Sequence, residues 1–248
     1  MSVAPISAAS SPNVAPTLVL LHGFTQTRRS WRLTVAGLGG RRRVLAPDLP
    51  GHGSAAARPA SFAACTAYVR ALGGERFALA GYSMGGRIAL HAALALGDRL
   101  DRLVLIGAGP GIADPAERAA RKAADDALAD RIVAIGVEAF AREWGALPLW
   151  EGQRERVRAA AHADRLSNTP EGLAAALRGL GTGVMEPLWE ALPSLTVPVT
   201  LAVGERDEKF RAIAERMAAV LPRAQIEVVE GAGHAAQLEQ PAAVAALL

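Results

Sequence analysis

Ser83 stands in Gly81-Tyr82-Ser83-Met84-Gly85-Gly86, a G-x-S-x-G run with a strand-like segment before it and a helix-like one after it. Glycines flanking a serine at such a junction permit a turn tight enough to leave the hydroxyl exposed at the end of a sheet, the arrangement called a nucleophile elbow. The alternative is a glycine-rich turn with an incidental serine, and the strand-turn-helix context favours chemistry. A hydroxyl needs a base to act on a proton or a carbonyl, and His234 in Gly231-Ala232-Gly233-His234, just after the last strand-like run, is placed to serve. A carboxylate must orient the imidazole, and the chain order Ser, acid, His confines it to the interval between them. Gly204-Glu205-Arg206-Asp207 follows a strand-like run there, so Asp207 is expected, with Glu205 in the same turn as its competitor.

Negative charge forming in such a reaction requires donors. The amide after the serine, on Met84, and one from the loop Leu21-His22-Gly23-Phe24, on Phe24, are the expected pair; the alternative for HGF is a glycine turn with a core aromatic. Arg87 lies at i+4 from Ser83, on the same helical face. A guanidinium so close to the elbow needs an anion, either an internal carboxylate or, as the preferred reading, an anionic substrate.

The remaining histidines carry less. His22 and His52 sit in HGF and PGHG loops, where bracing a loop is expected, and His91 and His162 lie in helical segments as surface or packing residues. Residues 107–111 (GAGPG) fail the dinucleotide pattern because Ile112 stands where the third glycine of G-x-G-x-x-G belongs. With no clustered Cys and His ligands, neither a metal nor any other cofactor is expected. Cys65, the sole cysteine, reads as a small buried hydrophobe rather than a reactive thiol.

The elements that must position these residues alternate. Strands are expected at 17–21, 44–46, 77–80, 103–106, 197–203 and 226–229, and helices at 61–72, 87–96, 210–221 and 241–248. Short apolar strands separated by helices imply a mostly parallel sheet flanked by helices, an α/β fold. Between 110 and 192 the strand pattern gives way to Ala-rich helical segments, including 115–133 and 137–144. This reads as a helical cap inserted into a core made of 1–109 and 193–248, above the carboxyl ends of the strands. The leader, residues 1–16, is broken by Pro5, Pro12 and Pro16 and lacks a basic start, so it reads as a poorly ordered segment rather than a secretory signal.

Composition sets the outer limits. A chain of 248 residues, 51% hydrophobic, can bury a core without disulfide or metal support. No apolar run approaches the roughly 18 residues of a membrane span, and a cytoplasmic enzyme is expected. The formal charge of +3 comes almost wholly from arginine, Lys122 and Lys209 being the only lysines, and it is scattered without an aromatic and basic stripe, which argues against nucleic acid. A small anionic substrate, and a monomer or weak homo-oligomer, are the expected state.

Taken in order, HGF, PDLPGHG, GYSMGG, GERD and GAGH resemble the α/β-hydrolase superfamily from about residue 17 to 248. Within it, GYSMGGR, AERAARKAADD, RLSNTPEGLAAALRGLGTG and GERDEKF resemble the 2-succinyl-6-hydroxy-2,4-cyclohexadiene-1-carboxylate synthase family of menaquinone biosynthesis. That resemblance implies a cofactor-free lyase that eliminates pyruvate from 2-succinyl-5-enolpyruvyl-6-hydroxy-3-cyclohexene-1-carboxylate, a polycarboxylate. Ser83, activated by His234 and Asp207, would then remove a ring proton instead of being acylated. It also implies that Tyr82, Arg121 and Trp144 line the site with Arg87, that Arg118 is a further cap contact and that Lys209 lies near the acid loop. The family pattern of an arginine directly before Ser-Asn is displaced here: Leu166 precedes Ser167-Asn168, and the arginine is Arg165. The competing reading is a serine esterase, thioesterase or carbon-carbon bond hydrolase of the same fold; a noncatalytic ligand receptor is a third class, disfavoured by the complete set of reactive residues.

Overall fold

The computed structural model describes residues 15–40 and 42–248. The reading of the leader therefore falls, for residues 1–14, outside the described residues, whereas Ala15 and Pro16 open the first strand.

Element order is β1 (Ala15–Leu21), α1 (Arg32–Gly37), β2 (Arg42–Leu45), α2 (Phe62–Gly73), β3 (Phe77–Tyr82), α3 (Met84–Leu96), β4 (Leu100–Ile106), α4 (Pro115–Gly145), α5 (Glu155–Arg165), α6 (Pro170–Leu180), β5 (Val199–Gly204), α7 (Glu208–Ala218), β6 (Ala224–Val229), α8 (Ala236–Glu239) and α9 (Pro241–Leu247). The strands form one sheet in the order β2-β1-β3-β4-β5-β6, and every pairing among the described residues is parallel. Alternation along β1 and β3 divides the core. Val19, Leu21, Phe77 and Leu79 face α2, α3 and α7, whereas Leu18, Leu20, Ala78 and Ala80 pack with Trp31, Ala236 and Val244 on the other face. Helices on both faces explain why these strands read as unbroken apolar runs. The edge strand β6 instead leaves Ile226 and Val228 exposed.

All six expected strands form, with ends shifted by a few residues. The helix expected from 87 begins at Met84, immediately after the serine, because the elbow turns straight into it. The helix expected at 210–221 runs over Glu208–Ala218, with the Asp207 side chain capping it through Phe210 N–H. The short helices α1 and α8, six and four residues long, have too few turns for a periodic pattern to reveal them.

Between β4 and β5 the described chain is helical. Asp114 caps α4 through the amides of Ala116 and Glu117, and Gly136, at φ 77° and ψ 167°, breaks α4 into two pieces close to the expected division between 133 and 137. Ala129, Ile132, Phe140, Leu173, Ala174 and Leu177 give this segment its own apolar cluster, against which Phe24 and Trp144 also pack.

Chain growth reverses direction at the β1/β3 boundary, since β2 adds to one side of β1 and β3 to the other. In open α/β sheets the crevice outside the carboxyl ends at such a point receives ligands. Here those ends carry His22-Gly23-Phe24 and Ser83. The approach is very close: a Cβ built on Gly85 would lie 2.2 Å from the Leu21 carbonyl oxygen and 2.4 Å from that of His22. Gly85→Ala should therefore cost about 2–3 kcal/mol through forced separation of α3 from β1, read as a melting temperature lower by about 5–10 °C.

Candidate active site

Ser83 occupies φ 50° and ψ −110°, a strained backbone for a residue with a side chain. It is held there by its own N–H donating to the Ile106 carbonyl (2.9 Å) and by Arg87 N–H donating to the Ser83 carbonyl (3.0 Å). His234 follows β6, and the structure brings it to Ser83 across 151 residues of sequence: Nε2 is 3.2 Å from Ser83 Oγ. On the other side of the ring, Nδ1 is 2.7 Å from Asp207 Oδ2. The imidazole is fixed sideways by Phe210 (ring centroids 4.7 Å apart) and Tyr82 (5.3 Å). Asp207, not Glu205, is the acid that meets the imidazole. Glu205 instead accepts from Gly231 N–H at 2.9 Å, bracing the turn before the histidine. A buried carboxylate on Nδ1 selects the tautomer whose Nε2 faces the serine as an acceptor, so this chain of groups can relay a proton from the hydroxyl.

The amides of Phe24 and Met84 have no acceptor among the described residues. Phe24 lies in a loop held by two reciprocal bonds to the loop after β2. Leu49 N–H donates to His22 Nε2 (2.9 Å), and Thr25 N–H donates to His52 Nε2 (3.2 Å). Each ring places its Nδ1 against a carbonyl, Gly23 for His22 and Pro50 for His52. Both are thus neutral rings tying loops together, as their positions in the sequence suggested. Burial pushes the pKa of His22 down and, with the neighbouring His22, that of His52 down to about 3.

This gives stability a pH dependence. Between about pH 3 and 6.5 the unfolded chain protonates position 52 and the folded chain does not, so stability contributed by His52 is complete above 6.5 and lost as pH falls towards 3, by up to about 1.4 kcal/mol per unit. His52→Gln keeps an acceptor but cannot titrate, and should show a shallower fall of denaturation midpoint between pH 7 and pH 5.

Ser83, Met84, Phe24 and His234 open into a cavity of about 670 Å³ whose far wall comes from the helices between β4 and β5. Arg87 lines it, as do Arg121 and Trp144, which the family resemblance implied, and Lys209 beside the Asp207 loop. Arg87 donates from Nη2 to the Leu180 carbonyl (2.9 Å), but its Nε is buried without a partner and, among the described residues, no carboxylate forms an ion pair with it. The alternative of a direct internal ion pair is therefore not what the structure holds. Asp125, which lies in range to favour the charge, is bound instead to Arg121 at 2.8 Å. Burial, and then the like charge of Arg121, push the Arg87 pKa down to about 10, which leaves it cationic at neutral pH.

Two further residues of the expected site are placed as follows. Tyr82, the last residue of β3, is buried with its ring 5.3 Å from that of His234 and beside Gly23. Arg118 folds back onto the carbonyls of Ile112 (3.2 Å) and Ala113, just before α4, and is not among the residues that line the cavity. Cys65 is buried, and burial pushes its thiol up to about 12, in keeping with an inert core role.

Several residues of the site had no motif to announce them. Trp189, Ile213 and Arg216 line the cavity, with the Arg216 guanidinium 4.3 Å over the Trp189 ring. Glu239 of α8 accepts from Gly233 N–H (2.8 Å), from Arg206 Nη2 (2.8 Å) and from Gln153 Nε2 (3.1 Å). One buried carboxylate thereby joins the histidine loop, the loop of Asp207 and the segment before α5. A glutamate in a short helix near the carboxyl end offers no local cue to that role. Among the described residues no group of His, Cys, Asp and Glu is arranged to hold a metal, and no helix is long and apolar enough to cross a membrane.

Comparison with known proteins places this geometry in context. The model of the alpha/beta hydrolase family matches residues 18–247. A Salmonella paratyphi A protein named 2-succinyl-6-hydroxy-2,4-cyclohexadiene-1-carboxylate synthase is 37% identical, covering 93% of this chain and 91% of its own. Among solved structures, MenH from S. aureus superposes with a TM-score of 0.88 at 32% identity, over 95% of this chain and 92% of that one. A thermophilic esterase from Thermogutta terrifontis, solved with malate bound, has a TM-score of 0.80 at 28% identity over 94% and 88%.

Proposed function

The chain belongs to the alpha/beta hydrolase family, and from that premise we propose that it is a 2-succinyl-6-hydroxy-2,4-cyclohexadiene-1-carboxylate synthase, a lyase of menaquinone biosynthesis that releases pyruvate from 2-succinyl-5-enolpyruvyl-6-hydroxy-3-cyclohexene-1-carboxylate. The observation that carries this reading is the pairing, in one cavity, of the Ser83–His234–Asp207 chain with Arg87, which among the described residues has no carboxylate partner. Relatives of that name match core and inserted helices together, which supports the same conclusion.

In this reaction Ser83, Asp207 and His234 are the catalytic residues. Ser83 Oγ, its proton drawn onto His234 Nε2, takes a proton from the substrate ring. The released electron pair becomes the new ring double bond as the ring carbon–oxygen bond to the enolpyruvyl group breaks. Protonation of the departing enolate, through His234, gives pyruvate and restores the starting state. The amides of Phe24 and Met84 form the oxyanion hole for the charge that develops meanwhile. Arg87 and Arg121 receive substrate carboxylates, with Trp144 forming apolar wall, and residues 110–192 act as the cap over a core of 1–109 and 193–248. A biosynthetic step of this kind fits a cytoplasmic setting and needs only a small polycarboxylate as partner.

A dehydrogenase-coupled assay of pyruvate release from the enolpyruvyl substrate tests the reading: turnover is expected, and its absence with folded protein overturns it. The second reading is ester hydrolysis, favoured by the strained elbow and by the likeness to the Thermogutta esterase. Rapid turnover of a chromogenic ester with an acyl group trapped on Ser83, and no pyruvate release, would establish that instead.

A further inference from the structure

Among the described residues, two that are not glycine have a positive φ: Ser83 at 50° and Thr25 at 67°. Ser83 immediately precedes Met84 and Thr25 immediately follows Phe24, so each adjoins one of the two amides assigned to the oxyanion hole. For a β-branched residue such a backbone is an outlier, and it persists only where the surroundings impose it. The elbow imposes it on Ser83. For Thr25 a large part of the constraint comes from the inserted helices.

Gly23 to Gln26 form a turn closed by Gln26 N–H donating to the Gly23 carbonyl (3.2 Å). Thr25 stands third in it, the place that glycine ordinarily fills in turns needing a positive φ. Both of its backbone polar groups are pinned. The N–H donates to His52 Nε2 (3.2 Å), and the carbonyl accepts from Asn168 Nδ2 (3.0 Å). Asn168 lies between α5 and α6 and is buried. Its amide is itself fixed, because Nδ2 also donates to the Arg165 carbonyl (3.1 Å) while Oδ1 accepts from Gly53 N–H (3.0 Å) in the loop after β2. Thr27 is held by the same segment, its N–H donating to Asp164 Oδ2 (2.9 Å) and its hydroxyl to Asp164 Oδ1.

This clamp bears on the peptide between Gly23 and Phe24. That peptide is planar and trans, so Phe24 N–H points opposite to the Gly23 carbonyl, which keeps its direction while the turn holds Gln26 N–H against it. Release of Thr25 to a negative φ would open the turn and let the Phe24 amide swing.

We propose that Asn168 is a positioning residue for the oxyanion hole, holding Thr25 in its strained backbone so that Phe24 N–H is aimed before substrate arrives. It acts through the Thr25 carbonyl and is not among the residues that line the catalytic cavity. The inference rests on the assignment of Phe24 N–H as an oxyanion donor.

Gly23-Phe24 is the only Gly-Phe pair in the chain, so protein carrying carbonyl-carbon-13 glycine and nitrogen-15 phenylalanine shows that amide as a single NMR peak. Phenylboronic acid is the probe: boron accepts a lone pair of Ser83 Oγ, the hydroxyl proton passes to His234, and an oxygen of the tetrahedral adduct enters the oxyanion hole. In the parent the peak should move to saturation. Asn168→Asp keeps an acceptor for Gly53 N–H and loses the donor to Thr25; Asn168→Ala loses both. In each variant the unliganded peak should shift or split, boronate affinity should weaken about tenfold, and kcat for pyruvate release should fall about 10- to 100-fold with KM within about twofold of the parent. A role confined to holding the cap together would lower the melting temperature but leave boronate affinity and the kcat of the folded fraction at parent values, and that result overturns the proposal. An effect of Asn168→Asp not shared by Asn168→Ala would belong to the new charge and overturns it equally. A parent peak that stays in place while boron-11 NMR reports the adduct removes Phe24 from the oxyanion hole, and so fails the underlying reading, a result distinct from a parent peak that moves and variants that match it.

Discussion

Ser83→Ala and His234→Ala are each expected to lower kcat by about 10³- to 10⁴-fold, with little change in melting temperature. The size follows from general base catalysis, for which a positioned base is worth about 10²- to 10⁴-fold, compounded by loss of the group that faces the substrate. Because Oγ and Nε2 are 3.2 Å apart and act on one proton, the double variant should be scarcely worse than either single one. Additive losses would show that the two side chains work separately, and the relay would have to be abandoned. Ser83→Gly separates chemistry from backbone strain. Glycine relieves the φ of 50°, so this variant should be as inactive as Ser83→Ala yet more stable by about 1 kcal/mol, measured by chemical denaturation.

Arg87→Ala should raise KM by about 10²-fold, with a smaller effect on kcat. A charge-assisted bond to a carboxylate in a desolvated cavity is worth about 2–5 kcal/mol on truncation. The substrate-free protein should respond in the opposite sense to an ordinary buried ion pair. Arg87 has no carboxylate to abandon, so its removal relieves a desolvated charge and sacrifices one bond to the Leu180 carbonyl, and the melting temperature should hold or rise. Arg87→Lys, which keeps the charge and loses the fork, should fall between the two. An unchanged KM in Arg87→Ala would end the argument that this residue receives a substrate carboxylate.

Residues whose role depends on local backbone were readable from the sequence. Ser83 announces itself because the turn it sits in tolerates only glycine at 81 and 85, and the break at Gly136 falls where the helical pattern is interrupted. Strands of the parallel sheet were equally plain, since burial on both faces demands unbroken apolar runs such as residues 17–21. Residues whose role depends on direction were less so. Asp207 and Glu205 share one turn, and only the path of the chain beyond it aims one at the imidazole and the other at Gly231 N–H. Tyr82, adjacent to the serine, packs on the imidazole and beside Gly23, a placement that only the fold reveals.

The chain by itself determined the order of its elements, the elbow and the identities of the groups that meet there, because each follows from glycine's conformational freedom, apolar periodicity and the sequence of turns. Only the tertiary structure decided that Arg87, among the described residues, is left without a carboxylate partner. Whether a guanidinium is satisfied depends on what lies within about 3 Å of it in space, and for Arg87 that neighbour is the Leu180 carbonyl, 93 residues further along the chain, whose approach no local pattern records.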